Sequence, residues 1–253
     1  MASTAALAKT LRQLHIPGKP LILTNIYDAA SARAVAQLPG TKAIATASYA
    51  VAAASGSSDA TMTLETNLAA VRSIAPVAKE YGLPLTVDWQ DGYGDRLEEG
   101  IIKLVELGVA GINLEDCKKE TEKMYPIEEA TERVKRALAV AKEHGVADFV
   151  VNARADSILR GGVISEVIER GKAYLAAGAT TVFVLGSIGR EEFKQLSSAF
   201  DGRLNIGLRI AGGYPTVKEL SEIGVARLST GPQLQIISMK KLSEEADRLL
   251  KSG

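Results

Sequence analysis

Eight short apolar runs recur along the chain, each followed by a turn and then by a helical pattern. They are LILTN at 21–25, AIATA at 43–47, LTVDW at 85–89, GINLE at 111–115, FVVNA at 149–153, TVFVL at 181–185, LNIGL at 204–208 and ARLST at 226–230. Each is too short for a helix and too continuously apolar for a strand with one wet face, so the pattern predicts buried parallel strands. The intervening segments carry helical periodicity. In EEATERVKRALAVAKEHG, Ala130, Val134, Ala137, Val140 and Ala141 share one apolar stripe with the charges outside it. Gly82, Gly145 and Gly178 fall at C-terminal stops shortly before the next strand. Strand–helix alternation through eight strands predicts an α/β fold of the (β/α)₈ TIM-barrel type in one domain, 1–253. A doubly wound sheet would place a Gly-rich phosphate turn after the first strand, and NIYDAASAR has no glycine. No linker or low-complexity tract interrupts the pattern. The Ala/Ser-rich stretch at 47–60 reads as a strand-end loop, either an ordinary connection or one whose small residues let a ligand approach the backbone.

Composition narrows the function. Among 253 residues, 30 Lys and Arg balance 30 Asp and Glu, so the chain lacks the excess positive charge of a generic nucleic-acid binder. The single Cys117 excludes an intrachain disulfide or a cysteine-built metal site and suits a reducing, cytoplasmic setting. The first residues, MASTAALAKTLRQL, read as an amphipathic helix rather than a signal peptide or membrane span.

In a barrel of this kind, chemistry gathers at the C-terminal strand ends. Those ends carry Asn25 and Asp28, Ser48 and Asp59, Asp88 with Gln90 and Asp91, Glu115 with Asp116, and Asn152, Arg154 and Asp156. Converging carboxylates suit a hard cation such as Mg²⁺, which takes a few oxygen ligands and keeps several waters. In VDWQDGYGD at 87–95, Asp88 and Gln90 share strand parity and both face inward if the strand persists to residue 90. A plain acidic turn is the alternative. Arg154 shares a face with Asn152 and is suited to a substrate carboxylate, or else to pairing with barrel acids for stability. Asp28 and Asp59 either order metal waters or cap helices. The two histidines, His15 and His144, lie away from the rim, which argues against a zinc site or a serine triad.

Taken together, NIYDAASAR, the ATAS loop with Asp59, DWQDGYGD, GINLED, NARADSILRGG and GVARLSTGP resemble the isocitrate lyase/phosphoenolpyruvate mutase superfamily from about Gly18 to Ala246. The resemblance implies a barrel whose last helix packs on a neighbouring subunit in a dimer or tetramer, a Mg²⁺ or Mn²⁺ cofactor, and small 2-oxo or 2-hydroxy carboxylate substrates or related phosphonates. Carried over by position, Asp88 and Glu115 hold the metal, with Gln90 where the family usually has an acid. Arg154 holds the substrate carboxylate. Ser48, Tyr27, Asp28, Asn152 and Asn205 line the substrate site, and Asp59 orders metal waters. The lyase lid signature Lys-Lys-Cys-Gly-His is absent from CKKETEKMY, and residues 117–125 lack the Asn of the mutase lid. Tyr49, Tyr93 and Lys119 are then the candidates for moving the proton. The expected activity is a Mg²⁺-dependent carbon–carbon lyase, including oxaloacetate-type decarboxylation. The alternatives are a phosphonopyruvate mutase or hydrolase, and a non-catalytic binding barrel.

Overall fold

The computed structural model describes residues 2–210 and 215–252. Among these residues eight strands form: β1 (Leu21–Leu23), β2 (Ile44–Ala45), β3 (Leu85–Asp88), β4 (Val109–Glu115), β5 (Val150–Ala155), β6 (Thr181–Val184), β7 (Leu204–Gly207) and β8 (Arg227–Ser229). All neighbours pair in parallel, in the order β1-β8-β7-β6-β5-β4-β3-β2. The remaining gap is closed by a parallel bridge between Ile26 and Thr46. Asn25 ties both sides of β1: its Nδ2 donates across the gap to Thr46 O at 2.7 Å, and its Oδ1 accepts from the Thr230 and Gly231 amides beyond β8. The eight apolar runs therefore become the eight staves of a (β/α)₈ barrel.

The helices are α1 (Thr4–Gln13), α2 (Ala29–Ala36), α3 (Ser48–Ala54), α4 (Leu64–Glu80), α5 (Leu97–Glu106), α6 (Ile127–Glu143), α7 (Ile164–Ala176), α8 (Arg190–Ala199), α9 (Val217–Ile223) and α10 (Gln233–Leu250). The stretch at 47–60 differs from the expected open loop, because its first half is helix α3. SYAVAAA is rich in the strongest helix former, and Ala50, Val51 and Ala52 are buried by the turn. In α6, Ala130, Val134, Ala137 and Ala141 are buried as the periodicity predicts, Val140 of the same stripe is only half-buried, and the whole Arg133 side chain is buried beside them. No helix among the described residues is long and apolar enough to cross a membrane.

Helix α1 stoppers the N-terminal end of the barrel. Ser3 caps it by accepting from the Ala6 amide, Leu11 is fully buried, and Arg12 donates to Phe149 O at 3.0 Å. Gly111 makes room for this stopper: a Cβ there would stand 2.6 Å from Val150 O and 3.2 Å from the Leu11 Cδ2 methyl. At the opposite terminus, α10 has no buried residue. It leaves Ile236, Ile237, Met239, Leu242, Leu249 and Leu250 exposed.

Candidate active site

The rim is built by the loops that follow β2, β3, β4 and β5. Strand β3 ends at Asp88, and Gln90 then takes a left-handed backbone (φ 49°), so the strand does not persist to residue 90. Trp89 anchors the turn. It is fully buried against Gly100, where a Cβ would sit 2.6 Å from the indole, and meets Tyr93 edge-on with centroids 5.0 Å apart. Gly92 (φ 82°) lets the loop double back beneath Leu97 and Arg133. An alanine there would combine a left-handed backbone with a Cβ 2.5 Å from Leu97 Cδ1. Gly92→Ala should therefore lower stability by about 2 kcal/mol and weaken any ligand held by Asp88, which a urea melt and a ligand titration would check together.

Asp88 is held on all sides. Its amide donates to Thr46 Oγ1 at 2.9 Å, its carbonyl accepts from Asn67 Nδ2 at 3.0 Å, and its Oδ2 accepts from the Ser48 amide at 2.9 Å. Asn113 Nδ2 approaches the other carboxylate oxygen at 3.4 Å. Glu115, at the end of β4, accepts from Arg154 Nη1 at 2.7 Å. Burial drives the Glu115 carboxyl well above the usual range. Arg154 opposes that shift, while Asp88, Asp156 and Asp59 add to it. Arg154 is also gripped edge-on by Asp156, with Nε–Oδ1 at 2.6 Å and Nη2–Oδ2 at 3.1 Å. Against the cost of burial, Glu115 and Asp156 keep Arg154 charged.

Asp59 reaches the cluster from the loop after α3. Its carboxyl is raised chiefly by burial, and a hydrogen bond from Ser48 works against that. Gln90 does not present a free oxygen to Asp88 and Glu115. Its Nε2 donates to Asp59 O at 2.8 Å and Oδ1 at 3.0 Å, and its Oε1 accepts from Lys119 Nζ at 2.8 Å. Lys119 also donates to Met62 O and lies over the Tyr93 ring, and burial lowers its ammonium pKa. Beyond Lys119 lies a cavity of about 680 Å³ lined by Met62, Thr63, Asp91, Tyr93, Tyr125 and Arg133, among others.

Ser48, Asp59, Asp88, Gln90, Glu115 and Arg154 are thus gathered into one connected cluster. The side chains of the other expected site residues are not hydrogen-bonded directly to that cluster. Asn152 and Asn205 are fully buried inside the barrel, where Asn152 bonds Asn113 and Thr181, and Asn205 bonds Ser229. Asp28 caps α2 by accepting from the Ser31 amide at 2.7 Å, which is its capping alternative. Tyr27 packs beside Val51, Ala52 and Met62, and Tyr49 is 53% exposed. Asp156 and Lys119 carry more of the site than their sequence positions suggest. The signal for Asp156 is its spacing: residues 154 and 156 lie on one face of an extended chain.

Among the described residues, no three Asp, Glu, His or Cys side chains converge into a ready-made metal cage. The donor chemistry nevertheless fits a hard divalent cation, which needs only one or two carboxylates and retains water. Buried or half-buried acids (Asp59, Asp88, Glu115, Asp156) outnumber the cations Arg154 and Lys119 there, even with burial favouring the protonated form of Glu115. Asp88 and Glu115 are the two that would hold such an ion.

The structure thus presents a closed parallel barrel with acids and a clamped arginine at its C-terminal rim. The family model described as phosphoenolpyruvate phosphomutase matches residues 11–250, and the chain belongs to that family, within the isocitrate lyase/phosphoenolpyruvate mutase superfamily. An uncharacterised Mycobacterium tuberculosis protein, Rv1998c, is 31% identical over 88% of this chain and 81% of its own. Oxaloacetate decarboxylase of Paraburkholderia xenovorans is 26% identical over 97% of this chain and 82% of its own. A Burkholderia cenocepacia crystal structure, provisionally described as a phosphonomutase, superposes with a TM-score of 0.89 at 34% identity, covering 97% of this chain and 99% of that one.

Proposed function

We propose that this chain is a Mg²⁺- or Mn²⁺-dependent lyase that cleaves or forms a carbon–carbon bond of a small 2-oxo or 2-hydroxy carboxylate, oxaloacetate-type decarboxylation included. The observation that carries this reading is the half-buried acid pair Asp88 and Glu115 beside Arg154 at adjacent strand ends. Its similarity to oxaloacetate decarboxylase supports the reaction class.

When bound, a divalent cation would polarise the 2-oxo oxygen and stabilise the enolate formed as the bond breaks. The chain's own residues do the rest. Arg154, fixed by Asp156 and Glu115, presents its remaining N–H edge to the substrate carboxylate in a set plane. Asp59 and Gln90 position water and close the acid side of the site. Lys119, its ammonium pKa lowered by burial and its Nζ already at the rim, is the group best placed to give or take a proton. The exposed apolar residues of α10 are covered by a second copy of the chain.

Calorimetric titration with oxalate, a flat mimic of a pyruvate enolate, tests the site. Binding is expected with Mg²⁺ and should disappear in EDTA and in Asp88→Asn. No binding under either condition would rule the reading out. The family model and the phosphonomutase-like structure favour a second reading, phosphonopyruvate chemistry. Turnover of phosphonopyruvate followed by ³¹P NMR, with oxaloacetate left intact, would decide for it.

A further inference from the structure

The interior of such barrels is ordinarily filled by branched apolar side chains. Here one row across four strands is polar instead. Asp88, Asn113, Asn152 and Thr181 are successive register partners on β3, β4, β5 and β6. Their side chains link in one direction. Thr181 Oγ1 donates to Asn152 Oδ1 at 2.6 Å, Asn152 Nδ2 donates to Asn113 Oδ1 at 2.8 Å, and Asn113 Nδ2 points at Asp88 Oδ1 at 3.4 Å. Arg227, buried on β8, adds a second donor to Asn113 Oδ1 at 2.9 Å. An arginine has only donors, so the amide of Asn113 must turn its oxygen toward Arg227 and Asn152. Both acceptor positions of that oxygen are then filled, and among the described residues Nδ2 finds its acceptor in Asp88.

We propose that this row is a positioning device: Thr181, Asn152 and Asn113, locked by Arg227, hold the Asp88 carboxylate at the angle from which it binds a divalent cation. The inference rests on the proposed role of Asp88. The Ser48 amide fixes one carboxylate oxygen and Asn113 the other, so each keeps a free lone pair in a defined direction. A polar row kept only for packing would have no need of a common donor direction ending on the one acid. Arg227 is the strongest sign of cost. Two of its nitrogens, Nε and Nη1, are buried without a partner, and Asp88 is the acid whose field supports its charge.

The test uses Thr181, three side chains away from the cation. Mn²⁺ affinity of the full chain would be measured from the electron paramagnetic resonance signal of free Mn²⁺, with Tm recorded alongside. Partners beyond the ligands typically contribute about 10- to 100-fold to metal affinity, and one at this remove should contribute roughly 3- to 10-fold. The expected order of affinity is wild type equal to Thr181→Ser, then Thr181→Cys with its weak donor, then the isosteric Thr181→Val. If Val does not fold, the Ser-to-Cys step still carries the comparison. Equal Mn²⁺ affinity across the series, with Asp88→Asn abolishing binding, would overturn the positioning role alone, whatever happens to Tm. Wild type that binds no Mn²⁺, or binds it equally well as Asp88→Asn, would overturn this inference together with the reading beneath it.

Discussion

Replacing Arg154 by methionine should abolish metal-dependent oxalate binding and cost about 3–5 kcal/mol of stability, the usual penalty for removing one partner of a buried ion pair. Both effects follow from the same contacts. Three guanidinium nitrogens are engaged, one by Glu115 and two by Asp156, and the side chain is largely buried. Without the cation, Glu115 and Asp156 would face each other near Asp88 and Asp59 with no compensating charge. Glu115 limits the damage, because burial already favours its protonated form and it would take up a proton. Arg154→Lys should recover part of the stability but not the oxalate affinity, since an ammonium cannot match Asp156 edge-on and still present a planar edge to a carboxylate. Urea melts and calorimetry on the two variants separate these outcomes. Oxalate binding that survived in Arg154→Met would remove Arg154 from the substrate site and leave it a structural clamp.

The contrast with Asn152 shows where the sequence is legible. Both residues lie in NARAD, share strand parity and are expected at the rim. Parity tells which way a side chain points but not how high it sits along the barrel axis. Strand β5 runs on to Ala155, so Arg154 emerges at the mouth while Asn152 stays one row below in the core. Asn205 on β7 is buried for the same reason. Arg227 escapes notice because ARLST reads as an ordinary apolar strand, and nothing local marks an arginine that will face inward. Gln90 illustrates the opposite difficulty. The strand stops two residues early, yet the left-handed turn still brings the amide into the cluster, onto Asp59 and Lys119. The barrel itself is fully readable, because eight evenly recurring apolar runs have few other ways to bury themselves. Ladder height, strand ends and long-range partners depend on neighbours that no local window contains.

Below pH 6.5, the wild-type protein should lose stability that a His15→Gln variant keeps. His15 Nδ1 lies 2.8 Å from Leu11 O and donates to it, so the neutral ring has its bare Nε2 turned inward. That atom is buried without a hydrogen-bond partner, although part of the residue reaches the surface. Burial, and then the Arg227 guanidinium, push the ring pKa down from 6.5 to about 3. The unfolded chain therefore binds a proton that the folded chain refuses. Stability from the neutral ring is complete above pH 6.5 and falls as the pH drops toward 3, by about 1.4 kcal/mol per pH unit at the steepest. The full shift would correspond to about 5 kcal/mol over the whole window, and partial exposure of the residue keeps the loss below that. Asp116, pushed up to about 6 chiefly by burial, works in the opposite sense. Its contribution is common to both proteins and cancels in their difference. The substituted glutamine amide could still donate to Leu11 O but has no titrating group, so denaturant melts at a series of pH values should show the two stability curves separating below pH 6.5. Parallel curves would mean that the ring is hydrated when the protein folds. The stopper formed by α1 would then be looser around Arg227 than the buried Nε2 implies.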